Sequence, residues 1–248
     1  MILQDVWFFL WGLLWTAYFI SDGFDLGLGS LAPAILLGVA FANIFRGIPF
    51  DQNGIYHGTL FTLLNPYGLL GGILFLCLFL VHGSLWLSIK SEGDLHDRAV
   101  NTAHKLWYAL LVVAVVFLIA TKFATPLYDN YMAHPALFLV VLVTVAALLG
   151  TKVFLKTGAL WKAWFSSALT IIGATFFGVI GLYPNLFPSS INSQYSLTAH
   201  NASSSPLTLK IMLIVALIFV PIVLAYQVWT YHLFKGKVTD EDLAYEEG

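Results

Sequence analysis

The sequence has few charges and a single cysteine. Only 10% of its 248 residues are charged, and 13 acidic against 11 basic residues leave a formal net charge of −2. No basic stripe interleaved with aromatic residues is present, which argues against a nucleic-acid partner. Cys77 alone provides neither a disulfide framework nor a CxxC metal site. GxGxxG, P-loop and HExxH strings are also missing, which excludes the common soluble-cofactor enzymes.

Apolar residues dominate instead, at 59% of the chain with a mean hydropathy of +0.85. A lipid core about 30 Å thick is matched by about 20 apolar residues of helix, and backbone amides in lipid must be bonded internally. We therefore predict an all-α, polytopic transmembrane helix bundle with seven visible spans. They are residues 3–24, 31–45, 69–89, 100–123, 136–154, 164–183 and 209–233.

Charge asymmetry predicts the orientation and the domain division. Lys and Arg collect at alternate connections, which should therefore be cytoplasmic: Lys90, Arg98 and Lys105, then Lys152, Lys156 and Lys162, then Lys235 and Lys237. The connection 183–207 has no Lys or Arg. These positions predict an external N-terminus, a helical bundle over residues 1–235 and an acidic cytoplasmic tail over 236–248.

One connection is unusually short. Between Asp25 and Leu31 only five residues without Lys or Arg separate two predicted spans. The run that follows is also short and has Pro33 near its start. Because so tight a connection between spanning helices is uncommon, we expect that sequence is missing or has been removed here.

Several strings are more specific than apolar composition. They are SDGFDLG at 21–27, LLNPYGLLG at 63–71, GLYPN at 181–185, PSS at 188–190, SLT at 196–198, NASSS at 201–205 and PIVLAYQ at 221–227. In this order they resemble subunit II of the cytochrome bd and related cyanide-insensitive quinol oxidases. The resemblance implies a nine-helix protein, of which the second and third helices are absent here. The family's Trp-Asp-Gly-Asn motif, which lies at the second helix, is absent with them. Because an even number of spans is removed, the orientation of all later helices is preserved.

The resemblance also implies a function and a location. It indicates a non-haem subunit of a terminal quinol:oxygen oxidoreductase in the bacterial cytoplasmic (inner) membrane, not catalytic alone. Haem b and haem d are expected in a partner, subunit I. Further expected partners are quinol, membrane lipid and a small accessory subunit, and a bound quinone or lipid is compatible with the family.

Of the seven histidines, only His82 lies well inside a predicted span. A polar residue inside the membrane is a functional candidate by default. His82 is therefore a weak candidate as a haem ligand, but a hydrogen bond to a neighbouring helix is the favoured interpretation. No catalytic residue or metal ligand is assigned to this chain.

Asp22 and Asp25 are the candidate proton-carrying residues. Because they are three positions apart, they share one face if the first helix persists. A partly desolvated carboxyl is suited to transient protonation, and the resemblance implies that such carboxylates supply protons to the haems. The alternative is that Asp22 ends the helix before Gly23 while Asp25 is merely interfacial.

Two other functions stay open. A secondary transporter or channel without a redox partner would have a similar composition, although the near absence of charge at the membrane centre argues against it. A self-sufficient haem b protein would need more ligands than His82. At Asn65 and Pro66 we predict a helix start without a catalytic role.

Overall fold

The protein is almost entirely helical. A computed structural model describes residues 2–21, 31–233 and 236–237. The helices are α1 Ile2–Ser21, α2 Leu31–Arg46, α3 Leu60–Leu63, α4 Pro66–Lys90, α5 Gly93–Ala124, α6 Tyr128–Ala133, α7 Phe138–Lys156, α8 Leu160–Leu182 and α9 Pro206–Leu233. Single 3₁₀ turns occupy Pro135–Leu137 and Ser193–Tyr195, and strands β1 Asn185–Phe187 and β2 Leu197–Thr198 form an antiparallel pair. The predicted all-α membrane fold is confirmed.

Six of the described helices are long and apolar enough to cross a membrane: α1, α4, α5, α7, α8 and α9. Residues 31–45, the shortest of the seven predicted spans, form α2, an apolar helix of 16 residues. A helix of that length is about 24 Å long, shorter than the hydrocarbon core. The short connection before Leu31 and most of the predicted acidic tail lie outside the described residues.

Successive long helices run in opposite directions, so the bundle has two ends. The Asp5 end contains Asp5, Arg46 and Tyr183; the Lys90 end contains Lys90, Gly93 and Lys156. At the Asp5 end, the Trp7 indole N–H donates to the carbonyl of Leu209, 3.0 Å away. At the Lys90 end, Lys237 forms an ion pair of 3.1 Å with Glu92.

Aromatic side chains from α1, α2 and α4 form part of the core. The Phe19 ring lies 5.4 Å from Phe41, 5.3 Å from Phe75 and 5.8 Å from Phe79, measured between ring centroids. Aromatic pairs at such separations add to the effect of burial. This cluster fixes the last turn of α1 against α4.

Helices α2 and α4 meet at backbone contact distance. A methyl group on Gly38 would overlap the carbonyl of Gly71, and one on Gly71 would lie 2.8 Å from the Gly38 oxygen. Small residues permit such close approach of membrane helices. A pair of amides closes the Asp5 end of this contact, since Asn65 Nδ2 donates to Asn43 Oδ1 at 2.8 Å.

The start of α4 confirms the predicted helix entry. The Asn65 side chain accepts a hydrogen bond of 2.9 Å from the Gly68 amide, as an N-cap residue does. Pro66 occupies the first turn, where its missing N–H is not needed. These residues have a structural role in the described fold.

Candidate functional site

His82 lies in the interior of the bundle between α4 and α8. Its side chain is fully buried, with an exposed fraction of 0%. Its Nδ1 atom is 2.7 Å from Ser167 Oγ, and its ring stacks on Trp164 with 5.0 Å between centroids. The Ser167 hydroxyl donates to the Trp164 carbonyl at 2.7 Å. The pair therefore joins α4 to α8 through a buried hydrogen bond, whose donor depends on the His82 tautomer.

The surroundings of His82 do not fit a haem. An axial ligand needs a free imidazole nitrogen with room for a macrocycle beside it. Nδ1 is bound to Ser167, Trp164 covers one ring face, and the side chain is fully buried among packed residues, which leaves no room for a macrocycle. Within the described ranges, no group of three or more His, Cys, Asp and Glu side chains could hold a metal ion. The interhelical hydrogen bond matches the favoured sequence interpretation.

The last turn of α1 reaches the depth of His82. The Ile20 main chain is close to the His82 ring, and Phe19 packs on Phe79, three residues before it. His82 precedes the end of α4 at Lys90 by eight residues, about 12 Å along the axis. The chain therefore leaves the described part at Ser21 near this depth. Asp22 and Asp25, the predicted proton-carrying residues, are one and four positions beyond Ser21 and lie outside the described residues.

A second polar cluster lies at the Asp5 end and was not identified from the sequence. The Tyr183 hydroxyl donates to Asp5 Oδ1 at 2.8 Å, and His200 Nε2 is 3.6 Å from the same oxygen. The hydrogen bond to Asp5 is the main cause that raises the pKa of Tyr183. Asp5 thus joins the start of α1 to the segment that follows α8. The only sequence signal was an acidic residue in the first turn of an apolar helix.

The other histidines lie near the two ends of the bundle. His57 Nε2 pairs with Asp51 at 2.9 Å in the connection between α2 and α3. His96 Nδ1 is 2.7 Å from the Ser88 carbonyl in the turn between α4 and α5. His104 contacts Lys152 between α5 and α7. None of these three residues lies beside His82 on α4, so the described histidines are not gathered into one site.

Six apolar spans around a buried aromatic core define a polytopic helical membrane protein. Its one interior histidine serves a contact between helices. The family model described as cytochrome bd terminal oxidase subunit II matches residues 28–234, and the chain belongs to that family. The resemblance stated from the sequence strings is thereby confirmed.

Curated relatives agree with this assignment. The chain is 32% identical to "Probable cytochrome oxidase subunit 2" of Haemophilus influenzae over 241 residues, covering 85% of this chain and 64% of the relative. It is 31% identical to "Cytochrome bd ubiquinol oxidase subunit 2" of Bacillus subtilis, covering 86% and 63%. For "Cytochrome bd-I ubiquinol oxidase subunit 2" of Escherichia coli K12 the identity is 32%, covering 87% and 65%. The chain therefore spans less than two thirds of the length of these relatives.

Proposed function

We propose that this chain is the non-haem subunit of a membrane quinol:oxygen oxidoreductase. The family match over residues 28–234 carries the proposal, and relatives named as ubiquinol oxidase subunits support it. The chain packs against a haem-bearing subunit I, which holds haem b and haem d, and the redox chemistry takes place there. This chain supplies helical scaffold and a proton path, and it is not catalytic alone.

The scaffold role is supported by the exposure of α9. Of its described residues from Pro206 to Leu233, only Leu209 is buried within this chain. A helix that is apolar on all sides needs lipid or protein around it. In the proposed complex, α9 and the other spanning helices of this chain meet subunit I within the membrane.

The proton path is assigned to Asp25 and Asp22. Reduction of oxygen to water consumes protons, and an active site within the membrane needs titratable groups to deliver them. The two residues directly follow α1, whose last turn packs on α4 at the depth of His82. A carboxyl that is partly removed from water has an accessible neutral form, which suits it to carry protons.

The Lys90 end is the cytoplasmic end in this proposal. Lys90 and Lys156 lie in the last turns of helices that end there, and Lys152 lies one turn before Lys156. Cytoplasmic ends carry the excess of Lys and Arg. The N-terminus of α1 is then external, and the chain after α9 is cytoplasmic. Protons therefore enter from the cytoplasmic side, which is the side where α1 ends and the sequence continues to Asp22 and Asp25.

Purification of the tagged chain from its own host membranes tests the proposal. We expect it to co-purify with a larger protein, to show haem b and haem d in a reduced-minus-oxidised spectrum, and to consume oxygen when quinol is added. A chain that purifies without a haem protein and transports a solute would instead indicate the transporter or channel alternative.

Replacement of Asp25 tests the proton path. We expect Asp25→Asn to lower oxygen consumption by at least about tenfold, as loss of a positioned proton carrier does, without loss of the haem spectrum. Asp94→Asn is the matched control, because Asp94 lies at the same end and is 81% exposed in its pair with Arg98. Equal turnover in the Asp25 variant and this control would reject the proton role.

A further inference from the structure

A lysine is buried between α5 and α7 near the Lys90 end. The exposed fraction of Lys152 is 7%. Its ammonium donates to His104 Nδ1 at 3.0 Å and to the His104 carbonyl at 3.1 Å. It lies 4.0 Å from the centre of the Tyr108 ring and 5.3 Å from that of Trp107. All these partners are uncharged, and Lys152 forms no ion pair with a carboxylate in the described part of the chain.

The contact with Lys152 determines which His104 nitrogen carries the proton. An ammonium group has donors and no acceptor. His104 Nδ1 must therefore accept, so the ring is neutral and its proton is on Nε2. The Nε2–H group is left as a donor, because both described bonds between Lys152 and His104 use Nδ1 and the carbonyl.

A second cation adjoins this pair. Lys156 follows Lys152 by four residues on α7 and thus lies on the same helix face, and it is exposed. On α5, Asp97 precedes His104 by seven residues, about 10 Å along the axis, and forms no ion pair with a described residue. The surroundings of Lys152 therefore carry excess positive charge.

The same face of the bundle is apolar further into the membrane. Val112 of α5 is 63% exposed, and Leu149 and Val145 of α7 are 47% and 40% exposed. Exposed apolar side chains on spanning helices meet acyl chains. A ligand here would have its anionic group at the membrane surface and its hydrocarbon on these valines and leucine, which describes an anionic phospholipid.

We propose that His104, Lys152 and Lys156 bind the phosphate of an anionic phospholipid between α5 and α7. His104 Nε2–H and the Lys156 ammonium donate to the phosphate oxygens. Lys152 fixes the His104 tautomer and supplies the second positive charge. Basic pockets between membrane helices are a known physical basis for binding such headgroups.

Retention of lipid by the purified full chain, with its partners, tests this site. The protein is purified from nanodiscs that contain phosphatidylglycerol and phosphatidylethanolamine. We expect Lys152→Met to lower the amount of phosphatidylglycerol that stays bound to the protein about fivefold. The amount of bound phosphatidylethanolamine should be unchanged. Lys122→Met is the matched control. Lys122 also lies over a tyrosine ring, 5.9 Å from that of Tyr128, but at the opposite end of α5. Equal retention by the two variants would overturn the proposal.

A second measurement does not depend on folding of the Lys152 variant. We expect the thermal unfolding midpoint of the wild-type chain to rise with the phosphatidylglycerol fraction, and to rise less for Lys156→Gln, whose side chain is exposed. An unfolding midpoint independent of this lipid would overturn the proposal. Equal stabilisation by inorganic phosphate alone would show that the site takes free phosphate and would reject the lipid assignment.

Discussion

Most buried hydroxyl groups in the bundle bond to their own helix. Thr16, Thr151 and Thr175 each donate to the carbonyl four residues earlier. Such bonds satisfy the hydroxyl without joining helices. The His82–Ser167 pair differs because it connects α4 to α8.

Ser167→Ala should destabilise the protein by about 1 kcal/mol. The change removes the hydrogen-bond partner of the buried His82 Nδ1 atom, and hydrogen bonds between membrane helices contribute on this scale. The measurement is reversible unfolding in detergent or bicelles.

Ser88→Ala is the matched control for this prediction. The buried Ser88 hydroxyl donates to the Leu85 carbonyl of its own helix, so its loss removes no contact between helices. An effect of Ser88→Ala as large as that of Ser167→Ala would contradict the proposed role of the His82–Ser167 pair.

Residue-scale contacts could be predicted only in part. Sequence analysis identified His82 as an interior polar residue because it interrupts an apolar run. Its partner is 85 positions away, and Lys152 meets His104 across 48 positions. Helix periodicity assigns a face within one helix but does not specify which faces meet. The proton-carrying role of Asp22 and Asp25 rests on the family resemblance and stays a prediction.

At the scale of elements, the α2–α4 contact has little tolerance for added volume. We expect Gly38→Ala to lower the free energy of unfolding by about 1–3 kcal/mol, because its methyl group would force two backbones apart. Leu36→Ala on the same helix is the control, since Leu36 is 59% exposed. The comparison uses thermal unfolding of both variants, and a larger loss for Leu36→Ala would contradict the proposed packing.

The connection between α2 and α3 should be sensitive to acid. Hydrogen bonds from His57 and from the amides of Ile55 and Asn53 lower the pKa of Asp51 below its usual 3.8. Because the folded-state pKa is the lower one, these bonds stabilise the connection at pH values above 3.8 and are lost as pH falls through the folded value. We expect amide exchange at Asn53 and Ile55 to lose protection over that range.

The Gln194 amide provides the control for acid sensitivity. It donates to Asn192 Oδ1 at 3.0 Å, and a side-chain amide does not titrate there. Protection at Gln194 should stay constant, whereas parallel loss at both connections would indicate general unfolding.

Hydropathy predicted the positions of the helices, except where a helix extends beyond the apolar part of the membrane. The predicted span 100–123 is part of α5, which begins at Gly93. Its first turns contain Asp94, Asp97 and Arg98, which are exposed polar residues and carry no apolar signal. The short β1–β2 pair was not predicted, because two- and three-residue strands give no periodicity.

At the scale of the whole molecule, orientation can be tested by cysteine labelling. We expect a cysteine at exposed Asn192 to react with a membrane-impermeant maleimide on intact cells, and one at exposed Thr157 to react only after permeabilisation. The native Cys77 is buried and provides little background. The reverse labelling pattern would contradict the proposed cytoplasmic location of the Lys90 end.

The alternation of helix direction was predictable because Lys and Arg residues recur at every second connection between the predicted spans. The 16-residue length of α2 makes it the shortest of the seven predicted spans. The relatives are longer than this chain, and the expectation that sequence is missing before Leu31 stays a prediction. The arrangement around residues 22–30 stays a prediction.

The backbone contact between Gly38 and Gly71 has a consequence for biosynthesis. During translation α2 emerges from the ribosome before α4, and a 16-residue helix is a weak signal for retention by the insertion machinery. Once α4 has emerged, their glycine faces supply contacts that α2 cannot obtain from lipid. We expect the two helices to enter the bilayer as one hairpin, so that a change at Gly71 would reduce the yield of inserted protein before it altered the folded protein.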